Sequence, residues 1–292
     1  MNNLAPQHHA PHSASVTVGH RQIAYTELGQ GPVVLMLHGG GPGASGMPNY
    51  AANVQALAAH FRVIVPDMPG YGASTKGLDR GDPFGDLATA MFGLLDALDI
   101  ERVSVVGNSL GGACALRMAL DQPQRLERLV LMGPGGINMS RAEPTPGLKR
   151  LLGYYAGEGP TMDKLRAFVQ GDLVYDASGV PESVVEQRYQ ASIDPDVLAN
   201  PPLIGPIEDP AKVDFLLDPR LAKCPVPTLV LWGTEDKVNP ASGGALLQQA
   251  MPYCDQYLFS RTGHWVQWER AAEFNAVVSL FLRHARCQGV AA

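Results

Sequence analysis

The chain predicts an α/β fold, a mostly parallel central sheet flanked by helices with a helical cap inserted over it, and three observations carry the prediction. Short apolar runs alternate with longer amphipathic stretches through the first half, the rhythm of βαβ units that build a parallel sheet. That rhythm stops at Gly133-Pro134-Gly135-Gly136, and no strand-like run returns before Thr228-Leu229-Val230-Leu231-Trp232. Helical periods punctuated by Gly and Pro fill the interval. A length of 292 residues admits two domains, although one large core carrying an insertion serves equally well.

Taken in order, residues 15–18 and 22–28 read as a hairpin turning at Gly19-His20. Apolar runs at 33–37, 63–65, 103–106 and 126–132 read as strands, and 50–59, 84–98 and 110–120 as the intervening helices. In the interval, 148–155, 162–170 and 182–192 are helical, separated by Gly157-Glu158-Gly159-Pro160 and Ser178-Gly179-Val180-Pro181. The core resumes with a strand at 228–233, a helix at 244–250, a strand at 256–259 and a closing helix at 271–284. The expected organisation is a disordered tail over 1–15, a core over 16–136 and 211–288, and a cap over 137–210.

Bulk properties narrow the function classes. Hydrophobic residues at 46% and charged residues at 17% suit a globular enzyme, and a net charge of −6 leaves no basic surface for nucleic acid or anionic lipid. Cys114, Cys224, Cys254 and Cys287 lack C-x-x-C spacing, so neither a zinc site nor a disulfide framework is expected. Reduced, mostly buried thiols in a cytoplasmic protein fit that pattern. The leader has no signal-peptide core, and no run of about 18 apolar residues marks a membrane span. His8, His9 and His12 could chelate a metal adventitiously, but a flexible polar leader accounts for them, and no metal or cofactor is expected.

The motif that carries chemistry is Gly107-Asn108-Ser109-Leu110-Gly111, lying between the predicted strand and helix. A chance match is the bland alternative in a chain with 32 glycines, yet the strand-turn-helix context is what a nucleophile elbow requires. Ser109 is thus the candidate nucleophile, with the Leu110 amide at the helix N-terminus facing a developing oxyanion. A serine hydroxyl needs a base, and the base needs a carboxylate to orient it. His264, in the loop Thr262-Gly263-His264-Trp265 between the last strand and the last helix, is placed to reach the sheet's carboxyl edge. Asp236, beyond the strand at 228–233, is the expected acid, with Glu235 its nearest rival. Ser109, Asp236 and His264 then occur in the chain order this elbow demands.

His38-Gly39-Gly40-Gly41-Pro42-Gly43 follows the strand at 33–37 and supplies backbone amides to complete an oxyanion hole with Leu110, from Gly40 or Gly41. A phosphate loop would need a Gly-Lys-Ser/Thr ending that is absent. His38 reads as structural, holding the loop by a side-chain hydrogen bond.

These residues resemble the α/β-hydrolase superfamily and, within it, the carbon–carbon bond hydrolases acting on meta-cleavage products of aromatic catabolism. The carriers are Leu37-His38-Gly39-Gly40-Gly41-Pro42-Gly43-Ala44 with Asn49-Tyr50, Asp67-Met68-Pro69-Gly70-Tyr71-Gly72-Ala73-Ser74, Val106-Gly107-Asn108-Ser109-Leu110-Gly111-Gly112, Met132-Gly133-Pro134-Gly135-Gly136 and Gly263-His264-Trp265-Val266-Gln267-Trp268-Glu269. The resemblance covers nearly the whole chain after the tail. It implies the α/β-hydrolase fold and cofactor-free hydrolysis of a 2-hydroxy-6-oxohexa-2,4-dienoate at C5–C6, giving 2-hydroxypenta-2,4-dienoate and a carboxylic acid.

The resemblance also implies substrate contacts from Arg188 to the carboxylate, from Asn108 and Trp265 to the dienoate, and from Asn49 with Gly40 and Gly41 to its polar end. A homo-oligomer, dimer or higher, is implied as well. Where aryl-cleaving relatives often carry an aromatic residue this chain has Met47, and Val238-Asn239-Pro240 follows the acid. Tyr154, Tyr155, Phe168 and Tyr175 could line a pocket, although cap core is their simpler role. Two rivals share the fold: a carboxylesterase or aminopeptidase, and a receptor without turnover.

Overall fold

A computed structural model of the protein describes residues 10–203 and 212–283. Its strands are β1 (His12–Val18), β2 (Arg21–Leu28), β3 (Val33–Leu37), β4 (Arg62–Pro66), β5 (Val103–Asn108), β6 (Leu126–Met132), β7 (Thr228–Gly233) and β8 (Cys254–Phe259). They form one sheet in the order β1-β2-β4-β3-β5-β6-β7-β8. β1 with β2 and β2 with β4 are antiparallel, and every later pairing is parallel. The composition explains the difference. β5 and β7 are buried at every residue, as strands covered on both faces must be, whereas β1 alternates exposed and half-buried positions at the sheet's edge.

The first strand corrects the expected tail. Residues 12–15, assigned to a disordered leader, are the start of β1, paired from His12 opposite Glu27 to Val18 opposite Arg21. An edge strand with polar side chains carries little hydrophobic alternation, and what holds it is the backbone ladder together with the Ser13 to Thr26 hydroxyl contact at 3.0 Å. His8 and His9 lie outside the described residues, as do Cys287, the expected cap boundary at 210 and the last residue of the closing helix at 284.

The longer helices are α1 (Pro83–Ala97), α2 (Leu110–Asp121), α3 (Pro146–Gly153), α4 (Met162–Asp172), α5 (Glu182–Ser192), α6 (Ser242–Ala250) and α7 (Ala271–Arg283). Asp82 caps α1 by accepting from Gly85 N, and its carboxylate takes both Arg117 guanidinium nitrogens at 2.8 Å, which ties α1 to α2. One apolar layer joins α1 and α2 to one face of the sheet, and a second joins α7 and the segment around Tyr50 to the other. A separate cluster centred on Tyr154, Leu165 and Phe168 gives α3, α4 and α5 their own core, closed at its base by Val238 and Trp265.

Two local departures have simple causes. The helix expected over 50–59 is instead two turns, Gly46–Asn49 and Val54–Ala58, because Tyr50 turns inward to donate its hydroxyl to Leu37 O at 2.7 Å. A short helix, Pro195–Ala199, follows α5, started by Asp194 accepting from Asp196 N, and five residues are too few for a periodic signal. Cys114, Cys224 and Cys254 are buried free thiols. Among the described residues no helix is long and apolar enough to cross a membrane.

Candidate active site

Ser109 sits where β5 ends and α2 begins, with φ 51° and ψ −110°. A non-glycine residue in that region costs on the order of 1–3 kcal/mol, so the surroundings must hold it there. They do so through Ser109 N donating to Met132 O at 2.9 Å, and through Ser109 O accepting from Ala113 N at 2.9 Å and Gly135 N at 3.0 Å. The flanking glycines are required by contact: a Cβ on Gly107 would stand 2.3 Å from Gly111 O. Leu110 is the first residue of α2, so its amide has no acceptor within the helix.

Asp236 follows β7 and His264 follows β8, and the two meet with His264 Nδ1 2.7 Å from Asp236 Oδ2. The aspartate side chain is wholly buried and fully engaged, accepting from Trp232 Nε1 at 3.0 Å, Val238 N at 2.8 Å and Asn239 N at 2.9 Å. Those donors fix the carboxylate so that Oδ2 faces His264 Nδ1 and accepts its proton in a hydrogen bond, which leaves Nε2 as the free ring nitrogen. Glu235 is exposed and turns to the Thr234 hydroxyl instead.

The glycine-rich loop is held carbonyl by carbonyl. His38 Nε2 accepts from Met68 N at 2.9 Å, so Nδ1 carries the proton and donates to Gly39 O at 2.8 Å. Tyr71 donates to Gly40 O at 2.9 Å. Every peptide here is trans, so each pinned carbonyl directs the following amide, of Gly40 and of Gly41, the opposite way. Tyr71 lies in a motif that the sequence displays but to which it assigns no role, as does Trp232 beneath Asp236.

Two predictions arise here. Tyr71→Phe should lower kcat about five- to tenfold with KM little changed, since a mis-aimed amide forfeits part of what a whole oxyanion donor contributes; equal changes in both constants would refute it. Burial holds the His38 imidazole below its ordinary 6.5, against the pull of the Asp67 carboxylate. The unfolded chain therefore binds a proton below about pH 6.5 that the folded protein refuses. The resulting stability is complete above that pH and is lost as pH falls through the folded value. Urea unfolding between pH 7.5 and 5 should show this acid slope, shallower in His38→Gln.

Arg188, on α5, turns its charged end inward. The residue keeps some exposure along its length, but Nε is buried without a hydrogen-bond partner, and desolvation pulls the guanidinium down to about 10, leaving it cationic near neutrality. Its neighbours are the Trp265 ring at 5.2 Å and the hydroxyls of Tyr71, Tyr155 and Tyr154. Among the described residues no carboxylate pairs with it. Gly43, at φ 65°, lets the loop run against α5, since a Cβ there would meet Arg188 O at 1.9 Å.

A narrow cavity brings Ser109, His264, Gly40, Gly41, Asn49, Asn108, Arg188 and Trp265 together under Leu151, Phe168 and Leu173 of the cap. Asn49 accepts from Gly39 N at 3.4 Å, while its Nδ2 and the Oδ1 of Asn108 are buried without partners. Of the cap aromatics, Phe168 lines the cavity, Tyr154 and Tyr155 pack edge to face, and Tyr175 is exposed.

Residues 32–271 match the alpha/beta hydrolase fold family. The chain is 40% identical to a 2-hydroxy-6-oxo-6-phenylhexa-2,4-dienoate hydrolase of Comamonas testosteroni, over 89% of this chain and 91% of that one. The chain belongs to the meta-cleavage product hydrolases of the α/β-hydrolase superfamily. A second meta-cleavage product hydrolase, the 2-hydroxy-6-oxononadienedioate/2-hydroxy-6-oxononatrienedioate hydrolase of Paraburkholderia xenovorans, is also 40% identical, over 91% of this chain and 92% of its own. In structure, the meta-cleavage product hydrolase of Pseudomonas fluorescens superposes with a TM-score of 0.81 at 31% identity, covering 92% of this chain and 97% of that one.

Proposed function

We propose that this hydrolase cleaves the C5–C6 bond of a 2-hydroxy-6-oxohexa-2,4-dienoate, and the observation that carries the reading is the unpaired Arg188 guanidinium in the cavity of Ser109. A buried cation without a counter-ion is costly, and a substrate carboxylate taken by the guanidinium fork relieves that cost. The orphaned Asn49 Nδ2 donor and Asn108 Oδ1 acceptor suit the carboxylate end and the 2-hydroxyl.

His264 Nε2 takes the 2-hydroxyl proton and returns it to C5, giving the 2,6-dioxo form. Ser109 Oγ then attacks C6 as its proton passes to Nε2, and the Leu110 amide with that of Gly40 or Gly41 receives the oxyanion. As the C6 carbonyl re-forms, the C5–C6 electron pair moves into the conjugated 2-oxo group. Protonation from His264 then frees 2-hydroxypenta-2,4-dienoate. Water, deprotonated by His264, hydrolyses the acyl-serine to a carboxylic acid.

Mixing the protein with coloured dienoates and following their bleaching tests this reading, which falls if simple esters are hydrolysed and dienoates are not. An aminopeptidase would need carboxylates for a substrate amine, and no Asp or Glu is among the described residues lining this cavity. Buried free thiols support a cytoplasmic setting. Exposed Leu258 on the edge strand β8, with exposed Tyr253 just before it, supports a homo-oligomer.

A further inference from the structure

Two neighbouring cavities share walls with the one that holds Ser109. One, against α5, shares Asn49, Arg188 and Trp265 with it. The other, between the chain that enters the cap and α6, shares Val238. Helix α3 spans that second boundary, because Leu151 lines the Ser109 cavity and Leu148, one turn earlier, lines its neighbour. A dienoate bound as proposed above, with its carboxylate at Arg188 and C6 at Ser109, aims its C6 substituent at Val238.

The two relatives at 40% identity are named for substrates that differ at this point: a phenyl ring in one, and a chain ending in a second carboxylate in the other. We propose that this protein takes an uncharged, apolar C6 substituent larger than methyl, which extends past Val238 into the second cavity. The inference rests on the dienoate reading of the site and adds to it the class of substrate.

The walls decide against a second carboxylate. Beyond Ser109 the first cavity offers Leu151, Leu173 and Val238, and the second offers Ile137, Leu148 and Leu246. Apart from Arg188, no Lys or Arg is among the described residues lining either cavity, and the one charged side chain lining the second, Glu143, is exposed to solvent and paired with Lys149 at 3.9 Å. Two of the polar groups nearby are engaged: Asn239 Nδ2 donates to Gly133 O at 2.8 Å and the Thr145 hydroxyl to Val238 O at 2.7 Å. Lys237 Nζ donates to Gly171 O at 2.9 Å. A carboxylate-ended substituent would therefore meet apolar walls with no cation among their described residues to receive it, whereas an aromatic ring would bury apolar surface against Val238 and the leucines.

The test is a comparison of kcat/KM for the 6-phenyl dienoate, the 6-methyl dienoate and the nonadienedioate. The phenyl substrate should exceed the dicarboxylate by more than tenfold, on the order of 100-fold, and the methyl substrate by about tenfold. Val238→Trp, which narrows the passage, should lower the phenyl-to-methyl ratio about tenfold. That ratio is taken within one preparation, so partial misfolding does not alter it. A dicarboxylate within tenfold of phenyl or better, a methyl substrate equal to phenyl, or an unmoved ratio in Val238→Trp overturns the inference while leaving the dienoate reading standing. Cleavage of none of the three overturns both.

Discussion

Ser109→Ala should lower kcat on a dienoate by about 10⁴-fold or more, because losing the nucleophile leaves only the oxyanion hole and substrate binding to act. Rapid quench of the parent enzyme should show an acyl adduct on the peptide carrying Ser109, absent from the variant. Turnover surviving the substitution, with no adduct in the parent, would sink nucleophilic catalysis. The backbone supplies an independent check. At φ 51° both serine and alanine bear the cost of a Cβ in the left-handed region, so Ser109→Ala should be near neutral in stability. Ser109→Gly should be equally inactive, yet stabilised by about 1 kcal/mol in urea unfolding as that strain is released.

Arg188→Met is the second large effect, and it should move activity and stability in opposite directions. With no guanidinium to receive the substrate carboxylate, kcat/KM on a dienoate should fall about 10²- to 10³-fold, the usual consequence of leaving a desolvated charge unpaired. Removing an unpaired cation from the cap interior should also stabilise the free protein by about 1–2 kcal/mol, a modest gain because the residue keeps some exposure. The parent should be stabilised by the dienoate product according to RT ln(1 + [L]/Kd), and the variant much less so. A variant less stable than the parent would show that the guanidinium is structurally satisfied and does not serve the substrate carboxylate.

Much of this candidate site is legible in the sequence because its parts lie at ends of strands, where sequence rhythm is clearest. Ser109 stands out by a glycine pattern bounded by a strand and a helix, and chain order with loop placement points to Asp236 and His264, which meet in the structure. What escaped depends on distances between segments remote in sequence. Tyr71 reaches Gly40 O, and Trp232 reaches Asp236, through side chains whose direction no local pattern encodes. The choice between Gly40 and Gly41 narrows only to two amides each aimed by a pinned carbonyl. The sequence understates β1 because hydrophobic alternation is a measure of burial, and an edge strand that begins with His and Ser is held by its backbone ladder instead.

The cap occupies the connection between β6 and β7, two strands that nevertheless lie side by side in the sheet. Since the entropy of closing a loop rises only with the logarithm of its length, that junction tolerates segments of very different size with little penalty to the core. Ser109, Asp236 and His264 all lie outside the inserted stretch, whereas Arg188, Phe168 and Leu151 lie within it. Changes confined to that one contiguous stretch can thus reshape one wall of the cavity while leaving Ser109, Asp236 and His264 where the sheet holds them.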